Sequence, residues 1–242
     1  MQVRSQFLVP AFSVLCSAFR FPVPGSQFPV SPIPDSRFPI PDESLRLIAI
    51  TDDLRDGIDG LVRRSAAAVR GGATMVQLRL KDLDPRDLVI AARRLVAALA
   101  VPVIVNDRAD IALAAGAAGV HVGTDDIPAR ALRGVVPPGF IIGASVGSDA
   151  EVADADGADY VGIGPVFATP SKPDAGAAIG IAEFVRLARR TGLPAVAIGG
   201  IDATNFRDAL TAGAHGVAVI RAIFAAPDVE RAARALSFSI ES

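Results

Sequence analysis

Four times the chain repeats one short phrase: a glycine, an alanine or its equivalent, and then a strand-forming run. The phrases are Gly72-Ala73-Thr74-Met75-Val76, Gly116-Ala117-Ala118-Gly119-Val120, Gly157-Ala158-Asp159-Tyr160-Val161 and Gly213-Ala214-His215-Gly216-Val217. Glycine closes helices because it enters the left-handed backbone region without a Cβ clash. Each phrase therefore predicts a helix end followed at once by a strand. The four glycines stand 44, 41 and 56 residues apart, by subtraction of their positions. A second set of strands is expected between them, at 47–51, 103–105, 140–144 and 195–198, with helices such as 58–70, 85–99 and 182–190 separating neighbours. Eight strand–helix units of this regularity predict an α/β fold, a single compact (β/α)8 TIM barrel spanning 45–242. An open doubly wound sheet is the runner-up. It does not require so even an alternation, and no Gly-x-Gly-x-x-Gly turn opens a helix after the first strand.

In such a barrel the chemistry sits at the carboxyl ends of the strands and in the loops beyond them. The stretch 159–172 dominates that end. Its strand, Tyr160-Val161-Gly162-Ile163, runs into a loop carrying Thr169, Ser171 and Lys172. Gly162 and Gly164 share one strand face, since side chains alternate with period two. Their missing side chains predict a hollow beside hydroxyls and an ammonium, suited to a phosphate or diphosphate. Along strand two, Gln77 and Arg79 point one way and Val76 and Leu78 the other; polar side chains inside a barrel are costly unless they bind something. Lys81 follows. Strand three ends at Asn106 and Asp107, strand four leads through His121 to Asp125 and Asp126, and strand five ends at Ser145. Strand seven ends in a Gly199-Gly200 turn and strand eight at Ile220 and Arg221.

These residues sort by chemistry. Asp107 and Asp126 are carboxylates from adjacent strands, and Mg²⁺ favours a few carboxylates plus substrate phosphate oxygens. Arg79, Lys81 and Lys172 supply positive charge around the same mouth. Asn106 and Ser145 are neutral hydrogen bonders for a small polar ring. The Gly199-Gly200 turn and the amides after strand eight match the phosphate site that barrels of this type build from loops seven and eight. Two anion sites are expected, one metal-assisted and one made mainly of backbone amides. Each residue also has a plainer reading. Asp107 could pair with Arg108 on the surface, Asp126 or Asp125 could cap a helix ahead of Pro128, and His121 could be a satisfied core histidine. Lys81-Asp82 could be a solvated turn and Gly199-Gly200 only a tight one. What weighs against all of these together is that every polar cluster falls at one end of the barrel.

Composition narrows the partners. With 24 Lys+Arg against 26 Asp+Glu the formal net charge is −2, which gives no reason to expect nucleic acid or an anionic membrane. Cys16 is the one cysteine, so neither an intramolecular disulfide nor a Cys-based metal site is possible, and a reducing, cytoplasmic setting is the default. No apolar run reaches the roughly 20 residues of a spanning helix. Residues 1–44 stand apart, holding 8 of the 18 prolines and 6 of the 12 phenylalanines, with a near-repeat of Ser26-Gln27-Phe28-Pro29-Val30 at Ser36-Arg37-Phe38-Pro39-Ile40. Repeated proline removes backbone donors and biases its neighbours toward extended conformations. The segment therefore reads as a disordered or loosely extended extension. Residues 7–19 resemble the core of a secretory signal, with Arg4 ahead of them. Pro10 interrupts that run and no Ala-x-Ala site follows it. Leu15 before Cys16 is not the small residue that lipid attachment uses. The extension reads instead as a dispensable tail or as the result of a start codon assigned too early.

The same residues carry a family likeness from 45 to about 236. Gln77-Leu78-Arg79-Leu80-Lys81, Val105-Asn106-Asp107, Gly119-Val120-His121-Val122-Gly123, 159–167, Thr169-Pro170-Ser171-Lys172, 197–201 and 216–223 together resemble the thiamine-phosphate synthases. The resemblance implies joining of a hydroxymethylpyrimidine diphosphate to a thiazole phosphate with loss of diphosphate. It implies that Gln77, Arg79, Lys81, Asn106, Ser145 and Lys172 hold the pyrimidine diphosphate, with Arg79, Lys81 and Lys172 as the catalytic cations. Asp107 and Asp126 would bind Mg²⁺. Thr169, Ser171, Gly200, Ile220 and Arg221 would hold the thiazole phosphate, the last two through backbone amides. Both partners are phosphorylated small molecules, and a homo-oligomer is compatible with the sequence. Leu80 departs from the family's usual Glu, Thr124 from Gln, Ser171 from Thr and Arg221 from Ser. The rivals are a thiazole tautomerase of the same fold, which would not need Asp107, Asp126 and Lys172, and a non-catalytic paralogue binding thiamine precursors, for which Leu80 is the best reason. A sugar-phosphate epimerase would call for metal-binding histidines, and the chain has only His121 and His215.

Overall fold

The computed structural model describes residues 40, 42–169 and 177–237. Eight parallel strands close in chain order: β1 (Leu47–Ile50), β2 (Met75–Leu78), β3 (Val103–Asn106), β4 (Gly119–Val122), β5 (Ile141–Val146), β6 (Tyr160–Ile163), β7 (Ala195–Ile198) and β8 (Gly216–Val219). Closure brings β8 beside β1, with Leu47 level with Val217 and Ala49 with Val219. The predicted barrel is therefore the observed fold, and the open sheet is excluded.

The helices are α1 (Gly57–Arg70), α2 (Pro85–Ala98), α3 (Ala109–Ala115), α4 (Ala129–Arg133), α5 (Gly180–Thr191), α6 (Phe206–Thr211), α7 (Arg221–Phe224) and α8 (Val229–Leu236). All four glycines of the repeated phrase adopt positive φ, at 109° for Gly72, 69° for Gly116, 88° for Gly157 and 97° for Gly213. They reverse the chain from helix to strand as the pattern predicts. Between β5 and β6 the crossover is a 3-10 helix, Asp149–Ala155, where a full α-helix would fit the repeat. That stretch offers only Val152 as a large apolar side chain, too little to bury a helical stripe. By contrast α2 buries Leu88, Ala91, Ala92 and Leu95, the spacing of one helix face.

Strand alternation divides the core into two layers. Ile48, Ile50, Met75, Ile104, Tyr160, Val196 and Ala218 fill the barrel. Leu47, Ala49, Val76, Leu78, Val103 and Val105 pack outward under the helices. Leu45 ends a 3-10 turn, Asp42–Leu45, and is fully buried in the inner layer, with Ile40 packed against that layer. Gly216 makes room for this turn: a Cβ there would collide with the carbonyls of Leu45 and Arg46. The expected extension, 1–44, falls mostly on residues 1–39 and 41, outside the described residues; its last three, 42–44, lie in the turn.

Candidate functional site

The carboxyl ends of the strands surround one cleft of about 960 Å³. Of the residues singled out from the sequence, Arg79, Lys81, Asn106, Asp107, Asp126, Ser145, Thr169, Gly199, Gly200, Ile220 and Arg221 line it. Gln77 lies beneath, only 4% exposed, with its amide nitrogen 2.7 Å from Asn106 Oδ1. It reaches the cleft through Asn106. Ser171 and Lys172 lie outside the described residues.

Backbone ties from β1 set the position of Arg79. Thr51, fully buried, accepts at Oγ1 from the Arg79 amide at 2.8 Å and donates to the Arg79 carbonyl at 3.3 Å. One hydroxyl thereby extends the β1–β2 ladder past its last strand pair, and it does so at the residue where the guanidinium leaves the sheet.

Asp107 is the one non-glycine residue at positive φ among the described residues, at 63°. Such backbone is strained for most side chains and least so for Asp and Asn. Its amide donates to the His121 carbonyl at 2.8 Å, which continues the β3–β4 pairing and holds the turn. Arg108 turns away to Asp110, at 2.8 Å and 2.5 Å, so the surface pairing with Asp107 does not form. Asp126 accepts from the Gly123 amide at 2.7 Å and closes its own loop; it does not cap α4, whose cap position is Pro128. Asp107 therefore faces Asp126. Burial, then the charge of Asp126 and a hydrogen bond to it, push the Asp107 carboxyl up to about 6, against the opposing pull of Lys81 and Arg79. Two carboxyl groups forced together at a polar mouth suit a divalent cation, which would remove the repulsion that raises Asp107.

His121 is nearly buried and bonded at both ring nitrogens, Nδ1 to Tyr160 Oη and Nε2 to Ser145 Oγ, each at 3.0 Å. The core-histidine reading is the one observed. The hollow expected at Gly162 and Gly164 takes a different form. A Cβ on Gly162 would sit 3.1 Å from the His121 ring, so that space is filled by imidazole, and a Cβ on Gly164 would strike the Ile198 carbonyl. Both still border the cleft.

On the opposite wall, Gly199 and Gly200 have φ of 93° and 65°. A Cβ on Gly200 would lie 2.6 Å from the Ala168 carbonyl oxygen and 2.7 Å from Phe167 Cβ. The turn is thus pressed against the loop after β6, an arrangement tied by Phe167 donating to the Gly199 carbonyl at 3.0 Å. This contact brings Thr169 toward the glycine turn. Asp202 and Thr204 form a turn, with Asp202 Oδ1 accepting from the Thr204 amide at 2.8 Å, and α6 starts at Phe206. Asn205 then reaches back, donating to the Gly200 carbonyl at 2.8 Å.

Thr51 and Tyr160 were not singled out as site residues from the sequence, because each acts through a partner distant along the chain; Asn205 was missed although the Gly200 carbonyl that it bonds is a near neighbour in sequence. Glu151 was missed as well. It borders the cleft while accepting from the Gly147 amide at 2.7 Å and Ser148 Oγ at 2.9 Å. The Ser148-x-x-Glu151 spacing, that of a capping box, was the available signal.

Fold and cleft together define a (β/α)8 barrel with its polar constellation at the carboxyl ends of the strands. The profile of the thiamine monophosphate synthase family matches residues 47–223. The chain is 48% identical over 205 residues to a thiamine-phosphate synthase of Roseiflexus castenholzii, covering 82% of this chain and 90% of that one. It is 52% identical over 174 residues to a thiamine-phosphate synthase of Methanoculleus marisnigri, covering 70% and 82%. The structure resembles a thiamine phosphate pyrophosphorylase from Pyrococcus furiosus with a TM-score of 0.72 and 37% identity, covering 81% of this chain and 95% of that one. A 3-hexulose-6-phosphate synthase, at 18% identity and a TM-score of 0.62, shares the fold alone. The chain belongs to the thiamine monophosphate synthase family.

Proposed function

We propose that this protein is a thiamine-phosphate synthase, a transferase that joins the methylene carbon of a hydroxymethylpyrimidine diphosphate to the ring nitrogen of a thiazole phosphate. The observation that carries this reading is the two-sided cleft. The Asp107–Asp126 pair with Arg79 and Lys81 lies on one wall, and the Gly199-Gly200 turn with Ile220 and Arg221 on the other. A volume of about 960 Å³ has room for two small phosphorylated ligands.

Asp107 and Asp126 would hold Mg²⁺, which supplies charge to neutralise the diphosphate when bound. Arg79, Lys81 and Lys172 stabilise negative charge as it develops on the leaving oxygen. The carbon–oxygen bond breaks and its electron pair leaves with diphosphate. The resulting pyrimidine-methyl cation is stabilised by its electron-rich ring. The thiazole nitrogen then donates its lone pair to form the new carbon–nitrogen bond. No general base is needed for this sequence. Gln77, Asn106 and Ser145 orient the pyrimidine diphosphate, and Thr169, Ser171, Gly199, Gly200, Ile220 and Arg221 seat the thiazole phosphate.

No helix among the described residues is long and apolar enough to cross a membrane. Work on two soluble phosphorylated metabolites fits a cytoplasmic setting.

The test is a coupling assay with both phosphorylated substrates, with and without Mg²⁺. Thiamine phosphate and diphosphate should form in equal amounts, and chelation should stop both. Lys172→Ala should nearly abolish product while the barrel stays folded. Absence of product from the wild-type protein under any metal condition would overturn the reading.

A further inference from the structure

Three polar side chains form a line from the barrel interior to the cleft. Tyr160, on β6, is wholly buried, and its hydroxyl lies 3.0 Å from His121 Nδ1. His121 Nε2 lies 3.0 Å from Ser145 Oγ, and Ser145 borders the cleft. Two glycines make the space: a Cβ on Gly143 would meet the Tyr160 ring and stand 2.5 Å from His121 Nδ1, and one on Gly162 would meet His121 Cε1 at 3.1 Å.

We propose that Tyr160 and His121 are positioning residues that fix the direction of the Ser145 hydroxyl, so that it donates its proton into the cleft. A buried phenol proton left without an acceptor is costly, and His121 Nδ1 is its acceptor among the described residues. Burial also keeps that phenol protonated, raising it far above its ordinary value. Nδ1 is therefore the unprotonated ring nitrogen and Nε2 carries the hydrogen. Nε2–H donates to Ser145 Oγ and occupies one of its lone pairs. The hydroxyl proton of Ser145 then turns outward, toward an acceptor on a ligand. This choice of donor over acceptor favours an anionic oxygen on the substrate, and it rests on the proposed function in that the ligand is a diphosphate ester.

The test has two arms. In protein labelled with ¹⁵N-histidine, couplings between ring nitrogens and ring carbon-bound protons report the tautomer. The two histidines are assigned by the signal lost in His121→Gln or in His215→Gln. His121 should be the Nε2–H form in the wild type and should lose that single form in Tyr160→Phe. In the coupling assay, Tyr160→Phe should lower kcat roughly tenfold, about the worth of one oriented hydrogen bond, with both KM values unchanged. In a Ser145→Ala background the same change should have no further effect. An Nδ1–H tautomer in the wild type, or an equal loss in the Ser145→Ala background, would overturn the proposal. If the protein made no product at all, the proposed activity would fail, while the tautomer measurement would still decide the relay.

Discussion

The Arg55 guanidinium donates to the Phe224 carbonyl at 2.7 Å, joining the loop after β1 to the last residue of α7. Arg55 is in turn held by ion pairs to Asp52 and Asp53. The other end of α7 carries Ile220 and Arg221 into the cleft. Arg55→Met should loosen that end. Its side chain is 43% exposed, so solvent weakens the bond, and the expected effect is about fivefold, near 1 kcal/mol. The loss should appear in KM for the thiazole phosphate and leave KM for the pyrimidine diphosphate unchanged. Steady-state kinetics with each substrate varied would check this; equal rises in both would contradict it.

The acid pair should make stability depend on pH and, where Mg²⁺ is held as proposed, on metal. The Asp107 carboxyl stands near 6 in the folded chain, above its ordinary value of 3.8. Between those two values the folded state binds more protons than the unfolded one. The associated stability is present below about pH 4 and is lost as pH rises through 6 when no divalent cation is bound. The group is only half-buried, so solvent screening leaves a contribution of about 1 kcal/mol. Asp107→Asn should therefore be more stable than the wild type in chelator at pH 7.5. It should also lose any rise in Tm on adding Mg²⁺. Thermal melts with chelator and with Mg²⁺ give both readings.

Thr51→Val keeps the shape of a buried side chain and removes both bonds to the Arg79 backbone. The Arg79 amide is left without that acceptor, a cost of about 1–3 kcal/mol. Denaturant unfolding should show this destabilisation, and kcat should fall with it because the guanidinium leaves the sheet at that point. A variant as stable and as active as the wild type would show that the hydroxyl does not position Arg79.

Gly200→Ala and Gly57→Ala form a matched pair, since both glycines have φ of 65°. A Cβ on Gly57 meets nothing within 4 Å, whereas one on Gly200 meets Phe167 and Ala168. Gly57→Ala should cost only backbone strain, about 1 kcal/mol of stability. Gly200→Ala should add displacement of the loop after β6 and raise KM for the thiazole phosphate more than tenfold. Isothermal titration with that ligand would separate the two variants.

Much of the barrel could be read along the chain because its determinants are local. Glycines that reverse a helix, alternation in short strands, and the three- and four-residue spacing in α2 depend on near neighbours. They predicted the architecture, and they predicted that Arg79, Asp107, Asp126 and the Gly199-Gly200 turn stand at one end. Orientation was decided only when the barrel closed. Whether Asp107 meets Arg108 or Asp126, whether the space at Gly162 is a hollow or holds the His121 ring, and which carbonyl receives Arg55 depend on contacts between strands and loops far apart in sequence. Asn205 and Thr51 gave no signal of their own, because a hydroxyl or amide bonds whatever backbone group packing brings within about 3 Å. Periodicity along the chain was enough to bring most of the polar residues to the mouth, since it sets the end and face of the barrel on which a side chain leaves. The tertiary structure determined how they address one another, since hydrogen bonds and paired charges depend on distances that only packing establishes.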